Sequence, residues 1–120
     1  TLIDAADDVD CGDIYKKVVI DIPSSALFKE INDLLFSAEV RLIKFAIENF
    51  DNLQKMPQRS DVEATYYKKR NPEDSKIDPD KSISEQFNLI RVCDPDRFPA
   101  FFELEDVTYK LVLEKLWNGK

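Results

Sequence analysis

The 120-residue chain contains no histidine, only two glycines and two cysteines, and no long apolar run. Without histidine the chain lacks the commonest general base and the commonest transition-metal ligand, so nucleophilic triads and zinc sites have little support. A membrane-spanning helix needs roughly 18 or more apolar residues, and no segment offers them. The sequence therefore predicts a protein that holds no metal and does not enter a membrane.

Cysteine usage and charge narrow the class further. Cys11 and Cys93 form no Cys-x-x-Cys pattern and no secretory leader precedes them, which is typical of reduced intracellular proteins, so a cytoplasmic location is expected. The net charge is −7. Because neutralising a phosphate backbone requires many Lys and Arg side chains, nucleic acid is not expected as a partner.

An acidic segment surrounds Gly12 and separates two strand-like runs, residues 1–4 and 14–22. Glycine adopts positive φ without penalty and permits another chain to approach closely, so the segment predicts a strand-turn-strand with Asp10 just before the turn. A solvated surface loop is the alternative from composition alone. A calcium loop is excluded, because Val9 would occupy a ligand position if Gly12 were its invariant glycine.

The remaining pattern predicts two helices and a hairpin. Apolar residues spaced by three and four predict an amphipathic helix over residues 25–50, capped by Ser24 or Ser25 and packed on the core through its apolar stripe. A short strand is predicted at 63–67, followed by a polar loop at 68–79 and a helix that runs from the capping-box pair Ser82 and Glu85 to about Cys93. Two strands at 100–104 and 107–114, joined by a turn at 105–106, then form a hairpin, and Leu116 and Trp117 are expected to be a packing anchor. The predicted class is α/β, or α+β for an isolated piece.

Three segments, in this order, resemble the later half of a folate-dependent formyltransferase domain. They are Thr1-Leu-Ile-Asp…Val9-Asp-Cys-Gly-Asp-Ile14, Ala64-Thr-Tyr-Tyr-Lys-Lys-Arg-Asn-Pro-Glu-Asp-Ser-Lys-Ile-Asp78, and Phe87-Asn-Leu-Ile-Arg-Val-Cys-Asp-Pro95 with Phe98-Pro-Ala-Phe-Phe102. Together they extend over nearly the whole chain. The last of them is more similar to sugar N-formyltransferases than to transfer-RNA formyltransferases.

The resemblance implies that the chain is part of an enzyme that moves a formyl group from N10-formyltetrahydrofolate to an amine of a nucleotide-linked deoxyamino sugar. Two alternatives stay open: a methionyl-tRNA formyltransferase fragment, and a non-catalytic binding module of the same fold. The family's catalytic Asn and His lie in an upstream nucleotide-fold half that is missing here. The chain is thus expected to be the C-terminal portion of a larger enzyme, inactive alone, with that half or a second copy as partner.

The resemblance also implies that different regions of the chain have different functions. Residues 1–62 would end the catalytic core, and residues 63–120 would form an acceptor-side loop, helix and hairpin. Asp10 corresponds to the catalytic aspartate, which handles a proton and pairs with the missing imidazole. The backbone of Ala6, Asp7, Asp8 and Val9 falls where related enzymes bind the pterin ring of the folate.

The acceptor side is predicted from charge. Residues 68–70 form the densest basic cluster, and a pyrophosphate requires cations. Arg70 is the first choice because guanidinium binds phosphate in bidentate fashion, Lys69 is the second, and Tyr66 could stack on a base. The structural alternative is a solvated basic run. Arg91 is expected in an ion pair with Asp94 or Asp96 rather than on a ligand.

Overall fold

The computed structural model describes residues 1–63 and 65–117, which form two α-helices and two separate two-stranded antiparallel sheets. The elements are β1 (Leu2–Ile3), β2 (Ile14–Lys16), α1 (Phe28–Glu48), α2 (Ile83–Ile90), β3 (Ala100–Leu104) and β4 (Val107–Leu111), with 3-10 turns at Phe50–Asn52 and Pro72–Ser75. The chain divides into two compact units. The first comprises residues 1–22 and 33–67, and the second comprises residues 23–32 and the chain from Lys68 onward. The mixed α/β class agrees with the prediction.

The first unit contains the predicted strand-turn-strand, but β2 is shorter than expected. β2 pairs with β1 and ends at Lys16, and Ile14 also exchanges two backbone hydrogen bonds with Met56 (2.7 and 2.8 Å). The extension of this strand to residue 22 is wrong, since Val19 is 93% exposed. An apolar run forms a buried strand only where neighbouring strands flank it, and the described part of the chain supplies none beyond Lys16.

Helix α1 confirms the predicted amphipathic helix, with a later start. The proposed serine caps are wrong: Ala26 N–H donates to Pro23 O (2.9 Å) across a turn that contains both serines. The carboxylate of Glu30 instead accepts the N–H of Leu27 (2.8 Å), just before the helix begins. An acidic side chain in the first turn also suits the positive end of the helix dipole.

The second unit follows its local sequence signals closely. Ser82 Oγ accepts the N–H of Glu85 (3.2 Å) and the Glu85 carboxylate accepts the N–H of Ser82 (3.0 Å), so the predicted capping box starts α2. The helix ends at Ile90, earlier than predicted. Strands β3 and β4 form the predicted hairpin, although β4 ends at Leu111 and not at residue 114 as predicted. Both turn residues have positive φ (50° and 61°), as a type I′ turn requires.

A small apolar core holds the second unit together. The buried members are Ile77, Ile90, Cys93 and Ala100, and partly buried side chains of Leu89, Phe102, Leu111 and Leu113 pack against them. The Phe102 ring stacks on Tyr109 across the hairpin, with ring centroids 5.4 Å apart. The core therefore joins α2 and the segment around Ile77 to the first strand of the hairpin.

Two further expectations fail. Residues 63 and 65–67 form no strand, and Ala64, which that prediction includes, lies outside the described residues. Leu116 and Trp117 are 87% and 77% exposed, so they are not a packing anchor. Neither α1 nor α2 combines the length and apolar character that crossing a membrane would require.

Candidate functional site

Two sets of hydrogen bonds fix the acidic turn between β1 and β2, one at the base of the turn and one from the side chain of Gln58. Asp4 N–H donates to Asp13 O (2.8 Å) at its base. The side-chain amide of Gln58 donates to Asp10 O (2.6 Å) and to Gly12 O (2.7 Å). Because Gln58 lies in the connector after α1, a distant part of the first unit determines the conformation of the turn.

Glycine is required at position 12 because the backbone of Asp4 approaches it closely. The expectation that Gly12 has positive φ is wrong. A β-carbon at this position would lie 1.9 Å from Asp4 O, well inside van der Waals contact. Gly12 does not have positive φ; Asp10 does, at 59°. Aspartate tolerates this left-handed region better than most residues, and backbone outliers of this kind concentrate at functional sites.

Asp10 lines a surface hollow of about 330 Å³ together with Thr1, Ile3, Ile14, Lys17 and Gln58. A second hollow of about 600 Å³ shares Ile14, Lys17 and Gln58 with the first. It continues along Met56, Pro57, Arg59, Val62, Glu63 and Thr65. Because they share Ile14, Lys17 and Gln58, the two hollows adjoin each other, and we call them together the groove; Asp10 lines the first hollow only. Volumes in this range are typical of small-molecule sites.

Ionic contacts stabilise the floor of the turn. Lys55 and Tyr15 both donate to the Asp4 carboxylate, Tyr15 at 3.1 Å. The hydrogen bond from Lys55, followed by that from Tyr15, lowers the pKa of Asp4 below its ordinary value, and the same contact raises the pKa of Lys55. Asp4 is therefore ionised at neutral pH. The groove has mixed polarity, and Lys17 lines both of its hollows.

The residues predicted to bind folate lie in the same turn as Asp10. Ala6, Asp7, Asp8 and Val9 are all exposed, and none of them is among the side chains that line the groove. Their main chain borders the position of Asp10. Tyr66 also belongs to the first unit and is 90% exposed, one residue after Thr65 of the groove wall.

The basic cluster lies in the second unit, in a polar loop that contains a capped 3-10 turn. Asn71 and Asp74 form a reciprocal capping box around the 3-10 turn Pro72–Ser75. Lys68 donates to Asp74 (2.8 Å), while Lys69 is exposed. Arg70 Nη2 donates to Ser75 Oγ (3.0 Å), and the fully buried Ser75 donates in turn to Phe98 O (3.4 Å). The Arg70 guanidinium is thus positioned by the loop itself.

The expected ion pair of Arg91 is wrong. Its guanidinium donates to Ala26 O (3.0 Å) and to Asn88 Oδ1 (2.9 Å). The Asp94 carboxylate instead accepts the backbone N–H groups of Asp96 and Arg97 (2.9 and 3.2 Å). Arg91 therefore satisfies carbonyl groups before α1, a task for which proximity in sequence to acidic residues is no guide.

Sequence reasoning missed Gln58 and Lys17. Gln58 follows Pro57 in a polar connector, where no local pattern distinguishes it from its neighbours. Lys17 was included in a strand that in fact ends one residue earlier. The signal that could have identified Lys17 is its charge within an apolar run, which is unfavourable in a buried strand.

We expect Gln58→Glu to destabilise the first unit, because it replaces the donor to two carbonyl oxygens with an acceptor of the same shape. The free energy of unfolding, measured by urea denaturation, should fall by about 2 kcal/mol, the loss of two hydrogen bonds. Gln54→Glu, in the same connector and also at an exposed residue, is the matched control and should change the free energy of unfolding little. Equal effects of the two substitutions would contradict the role assigned to Gln58.

No family model matches the chain. A methionyl-tRNA formyltransferase of Mycoplasma capricolum subsp. capricolum (strain California kid) is 25% identical over an alignment of 122 positions that covers 98% of this chain and 37% of that protein. The solved structure of a methionyl-tRNA formyltransferase from Clostridium thermocellum superposes with a TM-score of 0.65 at 25% identity, spanning 98% of this chain and 50% of that one. The chain thus spans half or less of the length of these relatives.

The two comparisons confirm the predicted resemblance to the formyltransferase family and to its C-terminal part. They also confirm the fold class, since the structural match extends over nearly all of the chain. Both relatives carry the name of transfer-RNA formyltransferases, so neither supports the sugar branch that the segment 98–102 indicated.

Proposed function

We propose that this chain is the C-terminal part of a formyltransferase that uses N10-formyltetrahydrofolate, and that Asp10 is its contribution to the catalytic site. One observation carries the proposal: in a chain similar to two formyltransferases, Asp10 is held in left-handed backbone geometry by Gln58 and lines a groove. Asp10 and its neighbours in the turn are exposed, so the support from Gln58 and the adjoining groove, and not burial, distinguish this turn from an ordinary surface loop.

The residues present fit a folate co-substrate. The exposed main chain at residues 6–9 offers N–H and C=O groups of the kind that match the edge of a planar heterocycle. The groove that Asp10 lines in part has the volume of a small-molecule site. When bound, the folate supplies the formyl group, and the polypeptide orients it beside the acceptor amine.

Asp10 acts on the amine side of the reaction. Attack of the acceptor amine on the formyl carbon would form a new C–N bond through a tetrahedral arrangement, after which the bond from that carbon to N10 of the folate would break. The amine nitrogen must lose a proton as the amide forms, and N10 must gain one as tetrahydrofolate leaves. A carboxylate that lines the groove can accept the amine proton, or hold a charged imidazole supplied by the remainder of the enzyme. Since the described groove offers no histidine, the chain alone is not expected to be active.

We propose methionyl-tRNA as the formyl acceptor, because both relatives are named methionyl-tRNA formyltransferases. A nucleotide-linked amino sugar is the second candidate, favoured by the similarity of residues 98–102 to sugar N-formyltransferases and by the negative net charge of the chain. Both acceptors present phosphate, for which Lys69 and the positioned guanidinium of Arg70 are suitable cations. Tyr66 would stack on a base in either case.

A chimera tests this proposal. Residues 1–120 replace the matching half of the Clostridium thermocellum enzyme, and formyl transfer is measured with methionyl-tRNA and with a nucleotide-linked amino sugar. We expect transfer to methionyl-tRNA, weakened by added salt as phosphate contacts require. Transfer only to the sugar would reject the first acceptor in favour of the second. A folded chimera that transfers to neither would reject the enzymatic proposal.

A further inference from the structure

Helix α1 has a second apolar face. Phe36, Val40, Ile43 and Ile47 follow one another at steps of four, three and four, and we call them the outer face of α1. They are 66%, 38%, 57% and 71% exposed, and Phe50, beyond the end of the helix, continues the stripe at 77%. Four large apolar side chains in a row are therefore left in solvent.

The outer face is distinct from the side that α1 buries. The buried side includes Ala38 and Leu42, which are 4% and 8% exposed. With 3.6 residues per turn, the outer face lies about 150° around the helix from these two residues. It is therefore not an extension of the buried side.

From Ser37 to the end of α1, most polar residues occupy a third, narrow strip, whereas the polar side chains of the first two turns, Lys29, Glu30, Asn32 and Asp33, are spread more widely around the helix. This polar strip consists of Ser37, Arg41, Lys44 and Glu48, and Glu39 lies between the two apolar sides. A surface helix normally carries one apolar stripe, and a helix that is apolar on most of its circumference is buried between layers. From Phe36 onward, the distribution on α1 is that of a helix with a layer on each side, and the described residues cover only one of these sides, that of Ala38 and Leu42.

We propose that the outer face of α1 packs against the part of a formyltransferase fold that this chain does not span. The match to the solved relative covers 98% of this chain but only 50% of the relative's chain. The other half of the relative therefore has no counterpart in this chain. An apolar surface from that half is the occupant to which the proposal commits. The proposal rests on the proposed function only in taking this chain to be part of such a fold.

A second copy of the chain is a less suitable partner for the outer face of α1. The outer face extends over about three turns, roughly 17 Å at 1.5 Å per residue. Two helices in contact over that length bury less than the roughly 1,200–2,000 Å² that stable interfaces require. A broad layer can also cover Phe50, which a single facing helix would leave open.

The test compares two double variants of equal charge change. Ile43→Lys with Ile47→Lys alters the outer face and retains good helix formers. Ser37→Lys with Glu48→Gln alters the polar strip and changes the net charge by the same +2. Each pair is introduced into the 120-residue chain and into the chimera with the Clostridium thermocellum enzyme, and thermal unfolding is followed by circular dichroism.

We expect both pairs to change the unfolding midpoint of the chain alone by less than about 2 °C, as exposed substitutions do. In the chimera, the outer-face pair should lower the midpoint by about 5 °C or more, because it places two ammonium groups in a buried contact. The polar-strip pair should leave the chimera close to the parent. Equal midpoints for the two pairs in a folded chimera would overturn the proposal.

Two further measurements complete the test. Sedimentation of the chain alone identifies the competing occupant: a dimer that the outer-face pair abolishes would overturn the proposal in favour of a second copy. Titration of the separately produced unmatched half of the Clostridium thermocellum enzyme with the chain serves if the chimera does not fold. Binding that the outer-face pair weakens at least tenfold supports the proposal, and no binding rejects it. Neither readout requires formyl transfer, so failure of the proposed function remains distinguishable.

Discussion

We expect Asp10→Asn to lower the rate constant for formyl transfer in the chimera by roughly 10²–10⁴-fold, the usual contribution of a positioned proton acceptor. Asparagine has nearly the same shape as aspartate and, like it, tolerates positive φ, so the turn should keep its geometry. The substitution thus removes the basic carboxylate and leaves the backbone outlier in place. Single-turnover kinetics at saturating acceptor measures the effect on the chemical step.

Asp8→Asn is the matched control, since it removes the same charge two residues earlier in the same exposed turn. If the two substitutions slow transfer equally, the effect is one of general charge and Asp10 has no special role. An Asp10→Asn chimera as active as the parent would refute the assignment directly. Unfolding of both variants should be compared with the parent, so that a loss of activity is not mistaken for a loss of structure.

Gly12→Ala is expected to destabilise the first unit more than any other single methyl group added to the turn. The new β-carbon would lie 1.9 Å from Asp4 O and 2.7 Å from Asp4 C, and both are backbone atoms that cannot rotate away. The chain must separate β1 from the turn, which also strains the hydrogen bond from Asp4 N–H to Asp13 O. We expect the free energy of unfolding to fall by about 3 kcal/mol, near the upper end for overpacking.

Urea denaturation followed by circular dichroism measures this loss. Cys11→Ala provides the comparison, because the neighbouring Cys11 side chain is exposed and makes only a weak contact with Val9 O (3.4 Å). It should shift the unfolding free energy by less than about 0.5 kcal/mol, as surface substitutions do. A Gly12→Ala chain as stable as the Cys11→Ala chain would show that the turn can relax away from Asp4.

Local signals were sufficient wherever the deciding contact lies within a few residues. The capping box of Ser82 and Glu85 starts α2 in the structure as in the sequence, because both partners belong to the same helical turn. The hairpin of β3 and β4 was likewise predicted, since alternation and a two-residue turn set its register. The order of segments that indicated a formyltransferase also needed no structure.

Local signals failed where a distant neighbour was required. The apolar run after Lys16 has the composition of a buried strand, yet Val19 is exposed because no described strand lies beside it. Arg91 stands near two aspartates in sequence but donates to Ala26 O, 65 residues away. Trp117 has the character of a packing anchor and is exposed.

The sequence by itself determined the family resemblance, the mixed α/β class, the two helices, the hairpin and the identity of Asp10 as the candidate catalytic residue. Only the tertiary structure decided why Gly12 must be glycine, that Gln58 supports the turn, that Lys17 shares the groove with Asp10, and that Arg70 is positioned by Ser75. The physical reason is the range of each interaction. Caps, turns and periodicity depend on neighbours along the chain, whereas steric exclusion and side-chain hydrogen bonds depend on which atoms the fold brings within a few ångströms.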